Sequence, residues 1–174
     1  LIEGKDWDVD GGRQNRISVQ KETSTIPIKK AIARKLSKAE RRNHEMWPGS
    51  EYDKENKTVF WHKYQPVRDF FAWFQRKYGG DICRVNLVRL YPEGHVKEHI
   101  DGGRYYKDKD RFHLVIQGEY QYTVDKEPMI YKQGELWWFD NKKIHESTNT
   151  SAQERIALIF DVKECNWREQ IESF

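Results

Sequence analysis

The hydrophobic pattern of the chain changes period near residue 80. From Pro66 onward, Val67, Phe70, Phe71, Phe74 and Tyr78 recur at helical spacing and Gly79-Gly80 ends the run, which predicts an amphipathic helix with proline in its first turn. Beyond it the period becomes two. Segments 82–91, 96–101, 111–117, 119–124, 129–132, 135–139, 144–149 and 155–162 alternate apolar and polar residues between Gly, Pro, Asn or charged turns, and each reads as a strand. So many short strands in about 80 residues argue for two packed antiparallel sheets rather than βαβ units. The expected architecture is a mainly β, cupin-like double-stranded β-helix, or jelly roll, with N-terminal helices buttressing one sheet.

The N-terminal half is less regular. The first 25 or so residues are polar, carry Gly11-Gly12 and read as a loop-rich arm. Ile28, Ile32, Leu36 and Ala39 fall at helical spacing with Arg34, Lys35, Lys38, Arg41 and Arg42 on the other faces, predicting a basic amphipathic helix. Its basic side serves either as a solvated face or as a surface for a partner or phosphate. Residues 58–61 (Thr-Val-Phe-Trp) suggest a short strand, and 164–174 a short helix or tail.

A length of 174 residues suits one domain, divided here into an arm and helices (1–80), a jelly-roll core (81–163) and a tail (164–174). Charged residues make up 34% of the chain, but seven Trp, nine Tyr and eight Phe supply the apolar area of a folded protein. A net charge of +3 is too small to argue for nucleic-acid binding by itself. The mean hydropathy of −0.99, without a long apolar run, excludes a spanning helix and makes a membrane partner unexpected. The opening Leu1–Asp6 stretch has no signal-peptide hydrophobic region, and Cys83 and Cys165 form no CxxC motif. A cytoplasmic, reducing location is the expectation.

The candidate chemistry lies in His99-Ile100-Asp101. Positions i and i+2 of a strand share a face, so an imidazole and a carboxylate project side by side as a two-toothed metal clamp. His145, at the start of a later strand, is the candidate third ligand. Two histidines and one carboxylate on one face of an octahedral ion form the facial triad of non-haem Fe(II) oxygenases, although Zn²⁺ accepts the same donors. Arg111 and His113 share a face by the same rule, and Arg155 opens the last strand. A guanidinium there suits the far carboxylate of a 2-oxo diacid that chelates the metal through its other end.

Four segments together resemble the aspartyl/asparaginyl β-hydroxylase family. They are Arg89-Leu90-Tyr91-Pro92-Glu93-Gly94-His95 with His99-Ile100-Asp101, 111–118 (RFHLVIQG), 134–141 (GELWWFDN) with His145, and 155–162 (RIALIFDV). The resemblance spans roughly residues 84–163. It implies a jelly-roll oxygenase using Fe(II), 2-oxoglutarate and O₂, and hydroxylating a C–H bond of a primary substrate with release of succinate and CO₂. It further implies iron ligation by His99 and His145, a grip on the distal carboxylate by Arg155, and contacts from Arg111 and His113 to the carboxylate nearer the metal. Two departures stand out. Asp101 occupies a position where the animal aspartyl hydroxylases have no carboxylate, and Val88 stands where they carry a hydroxyl. The family name therefore does not fix the substrate, and amino acids, peptide side chains and modified nucleotides all remain open.

Other readings stand beside this one. His95 shares strand parity with His99, so a His95/His99/His145 zinc site is conceivable, and a cupin-like isomerase or hydrolase would need no 2-oxoglutarate. A non-catalytic nucleic-acid module would use the basic and aromatic residues Arg34, Lys38, Arg41, Trp61 and Lys63. The loop 102–110 follows the HxD strand and reads as a solvated turn or as a contact at the pocket mouth. Trp137 and Trp138 should face opposite sides of their strand. Oligomeric state is not legible.

Overall fold

A computed structural model of the protein describes residues 2–10, 21–31 and 55–171. Among these residues ten strands form two antiparallel sheets. The larger sheet is ordered β2-β1-β3-β10-β5-β8, from β1 (Thr23–Ala31), β2 (Glu55–Lys57), β3 (Asp81–Leu90), β5 (Lys109–Gln117), β8 (Leu136–Phe139) and β10 (Arg155–Lys163). The smaller is ordered β4-β9-β6-β7, from β4 (His95–His99), β6 (Tyr120–Val124), β7 (Glu127–Tyr131) and β9 (His145–Thr148). This is the expected jelly roll, and each of the eight strands read downstream of residue 80 is present.

Strand alternation gives the larger sheet two working faces. Outward-facing Ile26, Ile28, Val85, Leu87, Phe112, Leu158 and Phe160 build the main core, against which helix α2 (Gln65–Tyr78) lays Phe71 and Phe74. Phe160 sits at its centre, edge-on to Phe70, Phe71 and Phe74 and stacked on Phe112. The helix therefore buttresses this sheet. The second face points into the sandwich, where Val115, Tyr120, Tyr122, Tyr131 and Phe139 form a smaller aromatic core. Trp138 joins the outer core beside Trp167, while Trp137 stacks flat on Tyr131 at 4.4 Å, so the two tryptophans do take opposite faces.

The N-terminal expectations need correction. Residues 23–31 are a strand, so the basic helix does not begin at Ile28; its remaining positions, through Arg42, lie outside the described residues. The run Thr-Ser-Thr-Ile-Pro-Ile is rich in β-branched residues and fits a pleated surface, and Ile26 and Ile28, two apart, share the face that meets the core. Residues 59–63 form the short helix α1 (Val59–Lys63) instead of a strand, because the Thr58 hydroxyl accepts the Phe60 N–H at 3.2 Å as an N-cap. The arm is not all loop: Gly4–Asp10 winds as a 3-10 helix and inserts Trp7 into the main core.

Helix α3 (Trp167–Ile171) is held through one carboxylate. Asp110 accepts the indole N–H groups of Trp138 at 3.0 Å and Trp167 at 3.2 Å, and Arg168 binds both of its oxygens at 2.9 and 3.3 Å. Replacing Asp110 by alanine leaves two indole donors unmet and is expected to cost about 1–3 kcal/mol. Urea denaturation followed by tryptophan fluorescence should show a lower midpoint together with an emission shift in the folded state.

Candidate metal centre

β4 and β9 are hydrogen-bonded neighbours, and their register pairs His99 with His145. The two rings approach to 4.3 Å between centroids. Asp101 lies just beyond β4, where its main-chain N–H donates to the Asn141 carbonyl at 3.1 Å. One ligand atom from each of His99, Asp101 and His145 falls within 4.8 Å of the other two, which is metal-binding spacing. His145, far along the chain from the adjacent pair His99 and Asp101, thus joins them on one side of the sandwich interior.

Their protonation suits coordination. His99 Nδ1 lies 2.7 Å from the Lys97 carbonyl and His145 Nδ1 2.9 Å from the Lys143 carbonyl. A carbonyl only accepts, so each Nδ1 carries a hydrogen and Nε2 is the ring nitrogen left for a metal. Burial lowers the pKa of His145, which favours the neutral ring. Burial alone would raise the pKa of Asp101, but the Arg111 guanidinium and the Asn141 amide hold it below the usual carboxylate range. The donor set, two imidazoles and one carboxylate, fits Fe(II) and also Zn²⁺.

Arg111 is deeply engaged. It binds Asp161 through Nε at 2.8 Å and Nη2 at 3.0 Å, and it binds Asp101 through Nη1. Asn141 Nδ2 donates to the same Asp101 oxygen at 3.1 Å. Hence Arg111 and Asn141 orient the Asp101 carboxylate. Three of the five guanidinium hydrogens are used in this way, leaving two for a ligand in the cavity that Arg111 also lines. His113 lies deeper, with Nδ1 3.2 Å from the Tyr120 hydroxyl and its ring edge-on to Tyr122 and Phe139.

Arg155 lines the same cavity and is 2% exposed. Its guanidinium lies over the Tyr120 ring at 4.0 Å, and Nη2 reaches the Ser147 hydroxyl at 3.5 Å. Nε and Nη1 are buried without a hydrogen-bond partner, and among the described residues no carboxylate forms an ion pair with Arg155. Its burial is part of the turn design: Gly118, at φ +75°, closes β5 onto β6 with its α-carbon packed against Glu154 and Arg155, where a Cβ would come within 3.3 Å of the Glu154 carbonyl. A buried cation aimed into a cavity with unmet N–H groups calls for an anionic ligand.

The remaining sequence readings divide. His95 is drawn off by Glu146, 2.9 Å from its Nε2, and takes no part in the three-residue cluster. The loop 102–110 is half docked: Tyr105 is buried with Arg84 3.5 Å over its ring, and Tyr106 lies under Arg111. Of the basic-aromatic surface, Arg34, Lys38 and Arg41 lie outside the described residues, Trp61 stacks on Phe71, and Lys63 is bound by Asp6 at 2.8 Å. Sequence reasoning missed Asn141, Ser147, Asp161, Thr25 and Asn86. Asp161 had a signal, since it shares strand parity with Arg155; Thr25 had none, because its strand was read as an arm.

Burial depresses His145, and burial with the nearby Arg155 cation depresses His113 well below its ordinary value of 6.5. The unfolded chain therefore binds these protons at a higher pH than the native one. Stability from both rings is full above pH 6.5 and drains away as pH falls from there toward their folded values, with a slope of up to about 1.4 kcal/mol per pH unit per ring. Urea denaturation of the metal-free protein at pH 7.5 and 5.5 should show the loss, and His113→Gln should flatten it. A midpoint that rises on acidification would refute neutral burial.

Among the described residues no helix is long and apolar enough to cross a membrane. The family profile described as aspartyl/asparaginyl beta-hydroxylase matches residues 29–165, most of the chain. No curated protein matches it in sequence. Solved structures that resemble it include the Cupin_2 domain of an XRE-family transcriptional regulator from Enterobacter cloacae, 18% identical, with 45% of this chain and 79% of that one aligned at a TM-score of 0.40. The Schizosaccharomyces pombe Cnp3 cupin domain is 9% identical over 52% of this chain and 62% of that one, at a TM-score of 0.41. A cupin-superfamily sugar phosphate isomerase from Silicibacter pomeroyi is 20% identical over 46% and 50%, at a TM-score of 0.37.

Proposed function

The chain belongs to the aspartyl/asparaginyl β-hydroxylase family, and from that membership and the geometry of its cavity we propose that it is an Fe(II)- and 2-oxoglutarate-dependent dioxygenase. One observation carries the reading. A buried guanidinium without a carboxylate partner, Arg155, opens into the same cavity as the His99/Asp101/His145 cluster. A metal hydrolase or isomerase acting on an uncharged substrate would need the cluster but not the cation.

When bound, iron with 2-oxoglutarate and O₂ supplies the oxidising power, so that a substrate C–H becomes C–OH while 2-oxoglutarate becomes succinate and CO₂. The protein holds and excludes. His99, Asp101 and His145 hold the metal, with Asn141 and Arg111 fixing the orientation of Asp101. Arg155 grips the distal carboxylate of the co-substrate, and the two hydrogens left on Arg111, together with His113, face its nearer end. Tyr120, Tyr122 and Phe139 exclude water behind this end of the cavity. The primary substrate is an amino acid, a peptide side chain or a similar molecule.

The test is co-substrate turnover. Anaerobically purified protein loaded with Fe(II) and then given 2-oxoglutarate and O₂ should form succinate, faster with its primary substrate than without. Failure to form succinate with any substrate panel, from protein shown to hold iron, would overturn the assignment.

A further inference from the structure

Strand register lays out the inner face of the larger sheet as rows. Thr23 pairs with Leu90 and Leu90 with Arg155; in the next row Thr25 pairs with Val88 and Val88 with Ala157. Paired residues share a face, so Thr25 looks into the sandwich beside Arg155's row. The middle of its row is short and apolar. Neither Val88 nor Ala157 can donate a hydrogen bond from its side chain to a ligand lying over them.

Thr25 is 2% exposed, lines the cavity with Arg155, and its hydroxyl is engaged by no hydrogen bond among the described residues. The unmet Nε and Nη1 of Arg155 are costly to bury, and Thr25 lines the cavity they face. One ligand can engage both residues. A carboxylate offers about four lone-pair sites, and a guanidinium gripping it bidentately uses two, which leaves an oxygen able to accept from a hydroxyl across the row.

Building on the 2-oxoglutarate reading above, we propose that β1 completes the co-substrate site, with the Thr25 hydroxyl donating a hydrogen bond to the distal carboxylate that Arg155 grips. Thr25 is then a binding residue contributed by the N-terminal part of the chain, outside the segments that carry the metal cluster.

The test is direct binding to the Mn(II)-loaded protein by titration calorimetry, with 2-oxoglutarate and with 2-oxobutyrate, which chelates in the same way but has no distal carboxylate. Thr25→Val keeps the shape and removes the hydroxyl. It should weaken 2-oxoglutarate about ten-fold and leave 2-oxobutyrate unchanged, while Thr25→Ser should stay within about two-fold of wild type. Equal 2-oxoglutarate affinity in Thr25→Val and wild type overturns the proposal, as does an equal loss for both ligands. Should Thr25→Val not fold, Thr25→Ala takes its place with the same expectations. If the wild-type protein binds 2-oxobutyrate and 2-oxoglutarate equally, or neither, the co-substrate assignment itself falls and this inference with it.

Discussion

Replacing Arg155 by methionine should abolish useful 2-oxoglutarate binding and at the same time raise the melting temperature of the ligand-free protein. The two effects share one cause. In the folded chain this guanidinium is buried with two nitrogens unmatched, and burial pushes its pKa down, so the charged form is held against its preference. Methionine fills much of the same space over the Tyr120 ring without a charge, and replacing a poorly compensated buried cation by an apolar residue is commonly stabilising by about 1–4 kcal/mol. Binding moves the other way. Each hydrogen bond to a charged group is worth about 1.5–3 kcal/mol, so losing a bidentate grip should raise the dissociation constant for 2-oxoglutarate at least about 100-fold. Differential scanning fluorimetry reads both effects. Wild-type protein should gain stability as 2-oxoglutarate is added in the presence of Mn(II), and Arg155→Met should start higher and stay flat. A variant that melts lower than wild type and still responds to the ligand would show that Arg155 holds the fold rather than the co-substrate.

What the sequence revealed of this site follows from the range of the interactions involved. His99 and Asp101 were legible because strand geometry alone puts i and i+2 on one side, and β4 with its continuation obeys that rule. Arg155 was visible as the first residue of a strand, but its defining property, burial without a counterion, is set by the opposite sheet through Tyr120 and Ser147. Arg111 shows the limit most clearly. Its strand parity pointed it inward, yet parity does not reveal that Asp161, on the neighbouring strand in direct register, would bind its far edge and turn its near edge toward Asp101. Local signals failed in the N-terminal half for a related reason. The spacing of Ile28, Ile32 and Leu36 mimics a helix, but pairing with β3 overrides it through residue 31, and the polar Thr23 and Thr25 that disguise the strand are the residues it turns toward the cavity.

Alanine at Asp101 should separate metal binding from folding more sharply than alanine at either histidine. The carboxylate is the one anionic group of the cluster, and Arg111 and Asn141 both aim at it. Removing it does not strand the guanidinium, because Asp161 still holds Arg111 through two hydrogen bonds, so the fold should survive with little loss. The metal loses both a ligand and the negative charge that offsets its own. Since residues that merely orient ligands are worth about 10–100-fold in metal affinity, loss of the ligand itself should cost more than about 100-fold. His145→Ala should be equally severe for the metal but harder on the structure, for it opens a void between Tyr122 and Phe139 in the inner core. Co(II) titration followed by visible absorption, paired with urea denaturation of the metal-free proteins, distinguishes these cases. The expected pattern is near-wild-type stability with lost Co(II) affinity for Asp101→Ala, and loss of both for His145→Ala. If Asp101→Ala binds Co(II) as tightly as wild type, two histidines suffice for this metal and the carboxylate belongs to the Arg111 ion-pair chain alone. That result would return the site to the two-histidine arrangement of the animal aspartyl hydroxylases.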